Sequence, residues 1–240
     1  MTKTIPMTNK TTQSEHSLAL RAALESSGGA AELQLALLAS QAGDSQLQLL
    51  VEELTAAEIN VIVADADMSK PSMAHAFITP VQFLEAFERL GSRWSQSDEI
   101  KTLNDFVQIQ GDVEDFLCPM VLATGDPLRA KTMLSALLGH ELGAEALLFT
   151  ALGRKDYLEF LSSPATQAIT KGTWQELLHV TLELCPSGYA EVRGLAASIH
   201  DDEEEDGAVT FAASFIHAMH EQARKYHTVE EAVEEDFVDI

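Results

Sequence analysis

Positive charge is scarce in this sequence. Fifteen lysines and arginines face 38 aspartates and glutamates, a formal net charge of −23. Duplex nucleic acid is bound through cations that neutralise its phosphates, so we expect no direct nucleic-acid binding, and no binding to an anionic membrane surface. Cysteine is almost missing too. Cys118 and Cys185 lie far apart, which makes neither a disulfide framework nor a CxxC metal pair and suits reduced thiols. Long apolar runs are absent: no stretch approaches the ~18 residues that a membrane span needs. The opening MTKTIPMTNKTTQSEH lacks the apolar core of a secretory leader. A cytoplasmic location is expected, with signal-less export left open by that Ser/Thr/Asn-rich start.

Aromatic residues make up only 6 % of the 240, and β-branched residues are sparse beside alanine and leucine. That excludes a β-rich composition and favours helices. Apolar residues still reach 46 %, enough to build a core in one large domain or two small ones. The expected fold class is all-α: a compact multi-helix bundle or a short irregular α-solenoid of about a dozen short helices.

The order along the chain follows from helix signals. Residues 1–13 are polar and patternless and read as a flexible tail; a helical body follows over 14–199. Gly43-Asp44, Gly111-Asp112 and Gly125-Asp126 each join a helix-stopping glycine to an aspartate able to cap the next helix. Pro127 suits the first position of the helix after Asp126. Thr79 with Gln82, Thr173 with Glu176 and Thr228 with Glu231 have capping-box spacing. Leu-Cys-Pro at Cys118-Pro119 and again at Cys185-Pro186 reads as a helix end. The segment 60–65 (NVIVAD) is read as helix capped by Thr55 rather than a strand, because a lone strand has nothing to pair with. A weak boundary is placed at 93–97, an acidic loop at 200–207, a C-terminal helix at 208–227 and an acidic tail at 228–240. No fixed repeat period emerges.

Candidate chemistry is thin. His217, His220 and His227 fall on one helical face with Glu221 beside them, which makes a divalent metal site conceivable, with His179 or His200 as further ligands. His227 lies two turns on, ~10 Å away, so His217, His220 and Glu221 are the named candidates. Glu176-x-x-His179 is half of a di-iron signature whose other half is missing. His140-Glu141 lacks the second histidine of a zinc-protease motif, and 65–69 (DADMS) has neither the glycine nor the glutamate of a calcium loop. A Cys-Pro pair can ligate haem, although a plain helix stop explains it. No phosphate-binding loop, nucleophile elbow or Cys/His nucleophile is present. No cofactor is predicted.

Two acidic segments stand out. Asp201, Asp202, Glu203, Glu204, Glu205 and Asp206 form one run, and the last thirteen residues hold six more acids. Without these twelve the body carries 26 acids against 15 bases, a moderate excess. The chain ends in Phe237, Val238, Asp239 and Ile240, an apolar tip behind acidic turns that suits either capture by a partner or packing on the body. The expected function is a non-catalytic interaction protein, an adaptor, chaperone or regulator. Its partner would be a protein with a basic or groove-like surface, met at 201–206 and at Phe237, Val238 and Ile240. A helical metalloprotein is the alternative, and a nucleic-acid charge mimic the third possibility.

Overall fold

The short punctuated segments of the sequence become helices joined by tight turns. The computed structural model describes residues 9–64, 72–94, 103–164, 167–201 and 207–237. Among these residues the chain forms twelve α-helices, two short 3-10 helices and no strand. The helices are α1 (Asn9–Ser26), α2 (Gly28–Ala42), α3 (Asp44–Glu52), α4 (Ala56–Ala64), α5 (Pro80–Glu88) and α6 (Leu103–Leu122). They continue as α7 (Pro127–Gly139), α8 (Gly143–Ala151), α9 (Tyr157–Ser162), α10 (Trp174–Leu184), α11 (Pro186–Asp201) and α12 (Gly207–Phe237). The 3-10 helices are Met73–Ala76 and Leu90–Arg93. The fold is all-α, as the composition implies. Helix α1 already starts at Asn9, inside the stretch expected as a tail.

Several expected joints form. Gly43 takes φ 79° and its N–H closes α2 on the Ala39 carbonyl, but Asp44 is the first residue of α3 and makes no side-chain cap. Gly125 takes φ 63°, and the Asp126 carboxylate caps α7 by accepting from the Leu128 N–H at 2.9 Å. Thr79 and Gln82 close a reciprocal capping box at the start of α5, with Pro80 next. Thr55 and Glu58 do the same for α4: the Thr55 N–H donates to Glu58 at 2.8 Å and the Glu58 N–H to Thr55 Oγ1 at 3.3 Å. Residues 60–64 are therefore helical; Asp65 lies outside the described residues.

Other expected joints do not form. Helix α6 runs straight through Gly111-Asp112 and through Cys118-Pro119, where two separate helices and a stop were expected. Tertiary partners override the local signals there. Gln110 donates to the carbonyls of Phe149 (2.7 Å) and Leu152 (2.8 Å), satisfying the C-terminal end of α8. Asp112 accepts from the Trp94 indole at 3.1 Å instead of capping a helix. Pro119 sits one turn from the end of α6, with Phe116, Leu117, Cys118, Met120 and Val121 buried around it. Its missing N–H costs one helical bond, against which burial of five side chains weighs far more. At Cys185-Pro186 the stop does form: α10 ends at Leu184 and α11 begins at Pro186. Thr173 caps α10 through the Gln175 N–H, while Glu176 reaches the Gly172 N–H at 2.6 Å rather than that of Thr173. Helix α12 passes through Thr228 without a new start.

The centre is α8. Gly143, Ala144, Ala146, Leu147, Leu148, Phe149, Thr150 and Ala151 are all buried, and the Thr150 hydroxyl is satisfied by the Leu147 carbonyl at 2.8 Å. A helix apolar on every side has to be enclosed, and α6, α7, α10, α11 and α12 pack around this one. Helix α12 also returns to α5 and to Leu90–Arg93, far back in the chain, which makes the arrangement a bundle rather than a solenoid of successive neighbours. The few aromatics concentrate inside. Phe83 and Phe87 lie 5.8 Å and 6.4 Å from Phe116, and Phe149 lies 4.7 Å from Phe215 and 5.5 Å from Phe106. One core holds residues from both sides of the 93–97 stretch, whose residues 95–97 lie outside the described set. No described helix is long and apolar enough to cross a membrane.

Candidate functional site

The sequence points to the C-terminal region, and there the structure builds a seat for α12. Its apolar stripe, Ala212, Phe215, Ile216, Met219 and Ala223, is buried. The close approach requires a glycine: a Cβ on Gly91 would lie 2.4 Å from the Met219 carbonyl oxygen. Beside it the Trp94 ring meets His220 edge-on, with centroids 6.0 Å apart.

The far end of the seat is polar. Glu88, the last residue of α5, faces His140 Nε2 at 3.0 Å and accepts from the Tyr226 hydroxyl. The Leu142 N–H donates to His140 Nδ1 at 3.1 Å, which leaves the ring proton on Nε2, directed at Glu88. The Arg89 guanidinium lies over the Tyr226 ring, 4.5 Å from its centroid. Burial, followed by the bond to Glu88, pushes the Tyr226 hydroxyl up to about 12, so it donates throughout the physiological range. Gln222 donates to Glu141, and Lys225 to Gln222 at 2.8 Å. One carboxylate thus links α5, the α7–α8 turn and α12.

The expected metal candidates are not gathered. His217 is exposed, His220 is 5 % exposed against Trp94, and Glu221 pairs with Arg224 at 2.5 Å. The side chain of His227 lies outside what is described. Among the described residues no three His, Cys, Asp or Glu side chains are grouped closely enough to hold a metal ion. His179 pairs with Glu183 at 3.3 Å along its own helix, and Glu176 is engaged at Gly172. Burial and nearby carboxylates raise the Cys118 thiol well above its usual range, the opposite of what a thiolate ligand requires. Cys185 is also buried, with Ser135 Oγ 3.8 Å from its sulfur.

Of the expected partner-binding residues, Asp201 ends α11 and Phe237 ends α12; their side chains are outside the described set. Asp202, Glu203, Glu204, Glu205, Asp206, Val238 and Ile240 lie outside it altogether, as do Asp65 and Asp67. The flanks of the acidic run are close together: a Cβ on Gly207 would lie 2.6 Å from the Ile199 carbonyl oxygen.

Sequence reasoning missed two kinds of residue. Gln82 and Gln110 are buried amides that tie chain turns together, Gln82 through the carbonyls of Val51 (2.8 Å) and Leu54 (2.9 Å). Gln82 was legible only as the capping partner of Thr79, and the one signal for Gln110 was a polar residue among apolar ones. His75 and Arg129 were also passed over. His75 is 1 % exposed with neither ring nitrogen hydrogen-bonded, and Arg129 donates to its backbone carbonyl. Burial, then the Arg129 charge, lowers the His75 imidazole to about 4, so it is neutral. Comparison with protein-family models, with curated proteins and with solved structures returns no match.

Proposed function

We propose that this chain is a non-catalytic acidic interaction protein, an adaptor, chaperone or regulator, that binds a protein partner through the end of α12 and through the acidic run 201–206. The supporting observation is that α12 carries two different sequences on one continuous helix. Its 31 residues span about 46 Å. Up to Tyr226 they serve the seat described above. From 228 to 237 the sequence is TVEEAVEEDF, with Glu230, Glu231, Glu234, Glu235 and Asp236 among ten residues. In helical register Val229, Val233 and Phe237 follow Met219, Ala223 and Tyr226. An apolar stripe bordered by acids is the form of helix that an apolar groove with a basic rim receives. The charge would speed encounter, and the stripe would hold the complex.

The test separates these two contributions. The quadruple substitution Glu230→Gln, Glu231→Gln, Glu234→Gln and Glu235→Gln should slow association with the purified partner on the order of tenfold at low salt and flatten its salt dependence. Neutralising 201–206 should act in the same direction. Association rates unchanged by both sets would sink the reading. Among the described residues no comparable geometry favours the metalloprotein built on His217, His220 and Glu221, or the charge mimic.

A further inference from the structure

An acidic protein offers its arginines many carboxylates, and three of the seven are shown paired with one. Arg21 meets Glu58 at 3.3 Å, Arg154 meets Glu114 at 2.5 Å and Arg224 meets Glu221 at 2.5 Å. Arg129 differs. It is half-buried and has no ion pair among the described residues; its terminal nitrogen donates to the His75 carbonyl, and its Nε is buried without a partner. Asp126 acts on Arg129 through its charge without an ion pair, and both it and Glu32, which holds the start of the His75 turn, have hydrogen bonds of their own. Asp126 accepts from the Leu128 N–H at 2.9 Å, and Glu32 accepts from the Ser72 hydroxyl and from the Met73 N–H at 2.8 Å. His75 adds two unpartnered ring nitrogens inside the protein. One of these carries a proton with no acceptor.

Three buried polar atoms on two adjoining residues therefore lack partners, beside a guanidinium that keeps its charge. Buried donors left unmade each cost roughly 1–3 kcal/mol, so a native structure rarely leaves several together. The Arg129 Nε–H and the single N–H of the neutral His75 ring both lack an acceptor. Arg129 as a whole is only half-buried, although its Nε is enclosed.

We propose that Arg129 and His75 form a binding site for a small oxyanion, a carboxylate or phosphate group. The fork of Arg129 binds the charge, as arginine does in planar and phosphate recognition. The His75 ring N–H supplies the inner donor. This site is independent of α12 and of any protein partner.

The test is an NMR titration of the full chain with inorganic phosphate and, separately, acetate, against sodium chloride at matched ionic strength. The His75 ring signals are assigned by their loss in His75→Gln. The expected result is a saturable shift of the His75 signals with phosphate, acetate or both, none with chloride, and a matching rise in thermal midpoint. A response to phosphate alone assigns a phosphate-bearing ligand; a response to acetate alone assigns a carboxylate. Arg129→Met, with its helical circular dichroism retained, should abolish the response, and Arg129→Lys should weaken it. The titration of the unmodified chain decides even if Arg129→Met does not fold. A His75 signal indifferent to both anions overturns the site, as does a response that survives in folded Arg129→Met.

Discussion

Helix α12 offers two regions for comparison within one uninterrupted element. Residues 207–226 bury Phe215 and Met219, thread past Gly91 and end on the Glu88 carboxylate. Residues 228–237 keep the apolar period but add five acids in ten positions. The first region is specified by what it touches. The second has a sequence that opposes itself, because Glu230 with Glu234 and Glu231 with Glu235 have i, i+4 spacing, at which like charges destabilise a helix by a few tenths of a kcal/mol each. Period alone does not distinguish a helix that completes a core from one suited to meeting another surface; charge and the presence of a seat do.

The strongest way to break the comparison is to remove the anchor of the first region. Phe215→Ala opens a void against Phe149 and should cost roughly 3–5 kcal/mol, read from denaturant unfolding. A loss under about 1 kcal/mol would mean that α12 is not part of the cooperative core.

Acid should drive the body, through the buried His75, and the acidic end of α12 in opposite directions. The neutral His75 imidazole ionises at about 4 in the folded chain and at its ordinary 6.5 when unfolded, so the unfolded chain binds the extra proton. The associated stability is complete above pH 6.5 and falls away as pH drops towards 4, a loss of about 3 kcal/mol. Comparing unfolding from pH 7 to pH 4 in the unmodified chain and in His75→Gln isolates this contribution. Over the same range, protonating the glutamates of 228–237 removes their repulsion, so helicity in that stretch should hold or rise.

Smaller changes sharpen the picture. Gly91→Ala drives a methyl group into the Met219 backbone, and the repacking should cost roughly 2 kcal/mol, a value typical of core overpacking. Tyr226→Phe deletes the hydroxyl bond to Glu88 while Glu88 keeps His140, so about 1 kcal/mol should be lost by thermal unfolding.

The sequence made the fold class legible because short-range chemistry governs most helix ends. Gly43, Gly125 with Asp126, and the Thr79–Gln82 and Thr55–Glu58 pairs act within four residues of themselves. Gly111 and Pro119 misled because their neighbours are held from afar: Gln110 by the end of α8, Asp112 by Trp94, and the flanks of Pro119 by the core. The histidine candidates are separated by helix geometry. His217 and His220 do share a helix and lie roughly 60° apart around it, but that rotation is enough to leave one in water and bury the other against Trp94. The seat residues Glu88, His140 and Tyr226 come from three distant segments, and His75 with Arg129 from two, so no spacing in the sequence connects them.

The most direct measurement is deletion of residues 228–240, followed by two readings on the same purified protein: thermal unfolding, and binding to the partner captured by the full chain. The account predicts an unfolding midpoint changed by no more than about 0.5 kcal/mol of stability, with the complex lost. A deletion that unfolds the body, or one that leaves the complex intact, would contradict it.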